Sequence, residues 1–190
     1  MTMNSGATTS LTDGRVLIRP ITMDDVTPAY VDWLRDPEVN QYLETRHTQQ
    51  TLASVADFVR AMIASPDQHL FAICLGPEKR HVGNIKVGPV KHPHGLADVS
   101  LFIGDRTAWG QGVATAAIKL ISRFAIETLG LRKLNAGVYG PNTGSAKAFL
   151  RAGYTQEGLR RRHYLLGSDM VDALEYGLCA GDIDPKRQSS

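Results

Sequence analysis

Trp109-Gly110-Gln111-Gly112-Val113-Ala114-Thr115 is the stretch of this chain best suited to hold a ligand, because a small-residue turn runs straight into a helical repeat. Ala114, Ala117, Ile118, Ile121, Ala125 and Leu129 recur at the three-and-four spacing of one helix face, with Lys119, Arg123 and Glu127 on the other. Gly130 supplies the stop. Leu96 to Ile103 reads as a strand, so the segment is strand, glycine turn and helix N-terminus. Its unpaired N–H groups and positive dipole end suit an anion. Gly110 and Gly112 put no Cβ between backbone and phosphate, and Ala114 is the next smallest choice. A P-loop would need Lys and then Ser or Thr after its last glycine, where Val113 and Ala114 stand. A dinucleotide fingerprint needs a small residue at Thr115 and an acidic residue ending a second strand about 20 residues on; Glu127 is mid-helix instead.

Other conspicuous residues carry less chemistry. His92-Pro93-His94 has no cysteine or carboxylate at ligand spacing, so a loop is expected and no metal site. Arg160-Arg161-Arg162-His163 reads as a charged strand, with Arg160 and Arg162 on one face and Arg161 and His163 on the other, guarding a sheet edge or meeting an acidic acceptor. Cys74 and Cys179 lie in apolar stretches far apart, so two buried thiols are expected rather than a disulfide, in a reducing cytoplasm. The 190 residues, 43% hydrophobic, are enough for one well-buried core. A net charge of +2 gives no support to nonspecific nucleic-acid binding. No apolar run approaches about 18 residues, and Met1 to Thr12 is polar and small, so neither a membrane span nor a secretory leader is expected.

The elements that position the glycine loop follow in order. Residues 1–12 read as a disordered tail, residues 13–178 as one domain and 179–190 as a second tail. Arg15 to Arg19 is a strand stopped by Pro20. Thr22 and Asp25 form a capping box before a helix with Val26, Tyr30, Trp33 and Leu34, which Asp36-Pro37 ends. A second helix from Thr51 carries an apolar stripe of Leu52, Val55, Phe58, Val59 and Met62. Leu70 to Leu75 and His81 to Val87 flank a Gly76-Pro77 turn, and Leu96 to Ile103 follows, all antiparallel because the connections are short. After the central helix come a strand at Lys133 to Tyr139, a short helix capped by Asn142, and two strands joined at Gly167-Ser168. This order predicts an α+β domain: a mixed sheet with helices on both faces.

From about Gly14 to Leu178 the chain resembles the GNAT superfamily of acetyl-CoA-dependent N-acetyltransferases. Gly110-Gln111-Gly112 fits its pyrophosphate loop, with Thr107 where the family has Gln or Arg. Asn142, Ser145, Gly153 and Tyr154 match its second motif. Leu17-Ile18-Arg19-Pro20, Trp109 to Thr115, Leu131-Arg132-Lys133-Leu134, Asn142, Ser145, Glu157-Gly158 and Asp172 look most like the branch that acetylates ribosomal-protein N-termini. Trp33 to Asn40 is also similar to sugar-modifying members.

The resemblance implies an α+β acyl-CoA N-acyltransferase fold: a mostly antiparallel sheet whose parallel strands, Leu96 to Gly104 and Lys133 to Tyr139, splay apart around the pantetheine. It implies acetyl-CoA as cosubstrate, no metal, and direct transfer to a primary amine on a protein N-terminus, or alternatively on an amino sugar or other small amine. Backbone around Phe102, Ile103 and Gly104 would hold the pantetheine and polarise the carbonyl. Gln111, Gly112, Val113, Ala114 and Thr115 would hold the diphosphate, with Asn142 and Ser145 beside it. Many relatives carry a tyrosine acid where this chain has Phe149; in the ribosomal branch the hydroxyl at Ser145 takes that part and the carboxylate at Glu157 is the base. Asp98 and His163 are reserves. Glu44, Arg46 and His47 fall in the acceptor-side loop, and Asp172 holds the last hairpin. Thiols ionise near about 8.5, so thiolate leaves readily, and an α-amine near about 8 needs less help than a lysine near about 10.4. Two other classes remain: an acyl-CoA-binding module without turnover, which Phe149 favours, and a nicotinamide-dependent oxidoreductase, which the missing third glycine disfavours.

Overall fold

The computed structural model describes residues 10–183. Of the tails expected at residues 1–12 and 179–190, residues 1–9 and 184–190 lie outside them; the start of the second is ordered instead, Cys179 ending a strand and Ala180–Ile183 forming a short helix. Leu11–Thr12, expected in the N-terminal tail, instead form a short strand (β1) paired with Ile18 and Leu17. The other strands are β2 (Val16–Pro20), β3 (His69–Leu75), β4 (Arg80–Val87), β5 (Leu96–Ile103), β6 (Lys133–Tyr139), β7 (Thr155–Leu166) and β8 (Asp169–Cys179). They make one sheet in the order β1-β2-β3-β4-β5-β6-β8-β7. Every neighbouring pair is antiparallel except β5 with β6.

The parallel pair is short. Leu96, Ala97 and Asp98 align with Lys133, Leu134 and Asn135, and there the pairing stops. Past that point β5 stays with β4 as far as Ile103, while β6 stays with β8 as far as Tyr139. Each strand follows its antiparallel partner, so the two part, and backbone groups on their facing edges lose their ladder partners.

Helices α1 (Pro28–Arg35), α2 (Pro37–Asn40) and α3 (Leu52–Ala64) lie on one side, α4 (Val113–Arg123) and α5 (Thr143–Arg151) on the other, and α6 (Ala180–Ile183) closes the described chain. Tyr30, Val31, Leu34, Val55 and Val59 pack with Ile21 and Leu70. On the opposite face Val113, Ala117, Ile118 and Ile121 bury against Val16, Phe71, Ile85 and Leu134. The apolar stripe of α3 is narrower than its periodicity predicts: Leu52 is 48% and Phe58 44% exposed, because only the Val55–Val59 line meets the sheet. The central helix does not run evenly to Leu129 either. Phe124–Thr128 widen into a π turn closed by the Leu129 N–H to Phe124 carbonyl bond at 3.2 Å, before Gly130 turns out at φ +69°. Cys74 is buried as expected, but Cys179 is exposed, at the last residue of β8. No helix among the described residues is long and apolar enough to cross a membrane.

A buried ion pair ties the first crossover to the sheet. Asp25 accepts from both guanidinium nitrogens of Arg19, at 2.6 and 2.8 Å, and from the Thr22 N–H at 2.8 Å, as its place in the capping box predicts. Burial pushes its carboxyl up, yet the Arg19 bonds and the Thr22 amide outweigh that and hold it below the ordinary 3.8. A carboxyl depressed in the folded state contributes its full stability above the unfolded value and loses it as pH falls through the folded one. Urea titration should therefore show stability falling once pH drops below about 4. Asp25→Asn should lower the unfolding free energy at pH 7 by about 3 kcal/mol and flatten that acid limb.

Candidate active site

Gly112 is the N-cap of α4 at φ +76°, and Gly110 sits at φ +71°; both need the left-handed region that glycine alone enters without strain. The first intrahelical bond runs from the Ala116 N–H to the Gly112 carbonyl, at 3.1 Å. The N–H groups of Val113, Ala114 and Thr115 therefore have no helical partner and point past the turn. Nothing lies within 4 Å of where a Cβ at Gly110 would stand, so the amides are approachable. The side chain of Gln111 is turned away: its Nε2 donates to the Thr107 carbonyl at 2.7 Å.

Side chains the sequence reading left unassigned brace this loop. The Arg15 guanidinium, from the start of the sheet, donates to the Gln111 carbonyl and lies beside Gly112. Asp105 accepts from the Thr107 N–H at 2.9 Å and hydroxyl at 2.6 Å, and pairs with Arg80. The Trp109 indole N–H donates to the Ile103 carbonyl at 2.8 Å, under the Arg106 guanidinium. Arg15 adds positive charge to an anion site; no motif marks it, since it comes from the far end of the sheet, 96 residues away.

Backbone alternation decides which groups face the gap. Gly104 donates to the Val82 carbonyl at 2.8 Å, and Gly88 to the Asp98 carbonyl at 2.9 Å. In an antiparallel ladder the bonded residues alternate, so Ser100 and Phe102 are committed to β4 as well. Leu101 and Ile103 turn their N–H groups to the gap. Of the expected Phe102, Ile103 and Gly104, only Ile103 offers its amide there, and Leu101 joins it. The Phe102 ring instead packs on Tyr30 at 5.8 Å, and Gly104 leaves room for the Trp33 indole, which lies where a Cβ would stand.

Two cavities meet at this gap. One, of about 460 Å³, runs from Gly110, Gly112 and Thr115 along α5. The other, of about 690 Å³, opens between β4, β5, the end of β6 and α3. Both are lined by Tyr42, Leu43, Leu101, Phe102, Asn142 and Ser145. Asn142 caps α5 by accepting from the Ser145 N–H at 3.1 Å, which sets Ser145 in the first turn with its residue on both cavity walls. The larger chamber is aromatic, with Tyr30, Phe58, Phe102, Tyr139, Phe149 and Tyr164 on its walls. Tyr139 stacks on Tyr164 at 4.0 Å, donates its hydroxyl to Glu44, and accepts from Arg46 at 3.0 Å. Burial, with the Glu44 carboxylate beside it, holds the Tyr139 phenol above its ordinary 10, so it stays a donor at neutral pH.

The remaining expected residues lie elsewhere. Glu157 lines neither cavity; its two carboxylate oxygens each sit 2.7 Å from Lys133 Nζ. Lys133 is at the closed, paired end of β6, about 20 Å of strand from Tyr139 at the open end. Asp98 is also at the closed end, accepting from Asn135 at 3.4 Å, and His163 lies outside both linings. The arginine run occupies edge strand β7, but its alternation breaks: a bulge puts Arg162 at φ +52°, with its N–H on Asp172 at 2.8 Å, and Arg160 pairs with Glu175 at 2.6 Å. Asp172 thus braces the last hairpin. His92 bonds Asp67 at 2.7 Å, and no group of three or more His, Cys, Asp or Glu among the described residues could hold a metal ion.

A sheet opened between two strands, with a helix start of unpaired N–H groups on one side and an aromatic chamber on the other, is a frame suited to passing a group from an anionic donor to a second substrate. The model for the acetyltransferase (GNAT) domain matches residues 15–155, and the chain belongs to that family. It is an N-acetyltransferase, and acetyl-CoA is the family's donor. An uncharacterized N-acetyltransferase, p20 of Bacillus licheniformis, is 23% identical over 166 residues, 86% of this chain and 92% of that one. The GNAT-family acetyltransferase of Bacillus anthracis superposes with a TM-score of 0.77 at 19% identity, covering 90% of this chain and 99% of that one. The Vibrio cholerae spermidine N-acetyltransferase, solved with CoA and spermine, does so with a TM-score of 0.80 at 14% identity over the same shares.

Arg15→Ala should raise the KM for acetyl-CoA about tenfold with kcat little changed, since one lost charge-assisted contact to an anion is worth about 1.5–3 kcal/mol at most. Thiol-release kinetics at varied donor concentration measure it.

Proposed function

We propose that acetyl-CoA lies with its diphosphate on the amides of Gln111 to Thr115 and its pantetheine along Leu101 and Ile103, and that the acceptor is the α-amine of a protein N-terminus reaching the thioester through the aromatic chamber. The observation that carries this reading is the meeting of the two cavities at Leu101, Phe102, Asn142 and Ser145. The amine attacks the thioester carbonyl, whose oxygen is held by a gap-facing N–H of β5; the C–S bond breaks and the thiolate takes a proton from Ser145 or solvent. Glu44, the one carboxylate lining the chamber among the described residues, accepts the proton the ammonium gives up. Glu157 is not assigned this part, because its carboxylate is held by Lys133 away from both cavities.

Charge supports an α-amine over a polycation. Glu44 is already bonded by Tyr139 and lies 3.9 Å from Arg46, and Lys86 adds a positive group to the same wall. A chamber with that balance and seven aromatic rings, Tyr42 among them, favours one amine on a largely apolar body. An amino group on a nucleotide-linked sugar is the second reading, favoured by the likeness of Trp33 to Asn40 to sugar-modifying relatives.

Thiol release from acetyl-CoA against N-terminal peptides, amino sugars and spermidine tests the assignment, with peptides expected to turn over fastest. Saturable CoA binding with no acceptor-dependent thiol would make the protein a binding module instead. Glu44→Gln should cut kcat/KM for the peptide about a hundredfold. Ser145→Ala should cost less than about tenfold, because thiolate leaves without an acid. Glu157→Gln should leave kcat within about twofold; a larger loss returns the base to that residue.

A further inference from the structure

Asn84 lies in β4 directly across from Phe102 of β5, beside the place where the sheet opens, and it is only 2% exposed. His81 Nε2 is 3.0 Å from both the Gly83 carbonyl and Asn84 Oδ1. A carbonyl oxygen only accepts, so Nε2 carries the hydrogen and donates to both. The ring is fixed in that orientation, meeting Trp33 edge-on at 5.1 Å and Tyr30 at 6.1 Å, with Nδ1 3.8 Å from the Asp25 carboxylate. Asn84 must therefore turn its oxygen to His81 and its amide nitrogen toward the Tyr30 phenol, which it does not reach at hydrogen-bond geometry, so that nitrogen has no hydrogen-bond partner among the described residues.

Thr45 Oγ1 is in the same condition. Asn84 Nδ2 and Thr45 Oγ1 are the two buried side-chain polar atoms without a partner among the described residues, and both residues line the acceptor chamber. A leucine of equal size at position 84 would fill the space without leaving a donor unpaired, and His81 would keep the Gly83 carbonyl. The fold does not need the amide.

Resting on the acetyl-transfer reading above, we propose that Asn84 is a specificity-determining residue that donates to an oxygen of the acceptor close to its amine, with Thr45 as a second polar contact. The chamber then selects amines that carry a carbonyl or hydroxyl oxygen on a carbon next to the amine-bearing one, over amines with the same apolar body and no oxygen. Asn84 is one strand from Phe102 and hence near the reacting carbon, which is why the recognised oxygen must be close to the nitrogen.

Phenylalaninamide and phenethylamine share an aromatic body and a primary amine; the carbonyl also makes the first amine less basic, equally for every variant, so the change in their kcat/KM ratio on substitution reads the contact. Wild type should favour the amide at least about tenfold. Asn84→Leu, and Asn84→Ala as a smaller second variant, should lower that ratio at least about fivefold, the loss falling on KM for the amide, while the melting temperature of Asn84→Leu holds or rises. An unchanged ratio in both variants overturns the proposal, as does a wild type with no preference or a melting temperature that falls with the ratio intact. No acceptor-dependent thiol from either amine or from the peptide panel overturns the acetyl-transfer reading itself, and this inference with it.

Discussion

The arrangement depends on a parallel pairing that is allowed to fail. Three residue pairs hold β5 to β6, and then each strand keeps its antiparallel partner instead. A parallel ladder is slightly weaker per residue than an antiparallel one, so this is the place where a mixed sheet opens at least cost. The opening exposes backbone donors and acceptors at a fixed spacing on two rigid edges. Such groups demand partners, from water, side chains or a ligand lying in the gap. The sheet thus supplies both a passage between its faces and the means of holding what lies in it.

Everything around the gap serves to keep its two ends distinct. At the glycine-loop end the start of α4 and Arg15 beside Gly112 supply positive charge, while Arg80 is neutralised by its pair with Asp105. The loop is not a flexible glycine turn. Trp109 bonds back to Ile103, Gln111 bonds back to Thr107, and Arg106 reaches Glu38 at 2.6 Å in α2. The same α1–α2 segment lays Trp33 on Gly104, so one stretch of chain covers the end of β5 and braces the phosphate loop. Because those contacts are already made in the protein alone, a ligand meets a preorganised site and spends little of its binding energy on ordering it.

Much of this was legible in the sequence, and the reasons for the rest are specific. Periodicity and stop signals placed the eight-residue β5, the central helix and the Asn142 cap because these depend on neighbours a few residues away. The capping box at Thr22 was legible for the same reason, although it closes a 3₁₀ turn, Met23–Asp25, ahead of α1 rather than α1 itself. Spatial order was not legible. The chain runs β6, α5, β7, β8, and nothing local says that β8 inserts between β6 and β7; that insertion is what removes Glu157 from the gap and leaves it facing Lys133. The choice between Phe102 and Leu101 turns on which residues bond β4, a register that only the folded sheet defines. The bulge at Arg162 and the exposure of Cys179 depend likewise on long-range partners.

At the acceptor end the physics differs. Tyr139, at the free end of β6, takes up Glu44 and Arg46 from the short helix Glu44–His47, and Arg46 continues to the Leu165 carbonyl at 3.1 Å near the tip of the β7–β8 hairpin. Three segments far apart in sequence converge on one phenol stacked against Tyr164. The hub is wet on one side, with the Glu44 side chain 70% exposed, and Arg46 keeps its own bonds to the Tyr139 hydroxyl and the Leu43 and Leu165 carbonyls. On the proposed reading, donor recognition rests on main-chain groups presented by a glycine turn, whereas acceptor recognition rests on these few side chains. Substitutions in the 44–47 loop and the hairpin tip would then change which amine is accepted while leaving the glycine turn as it is.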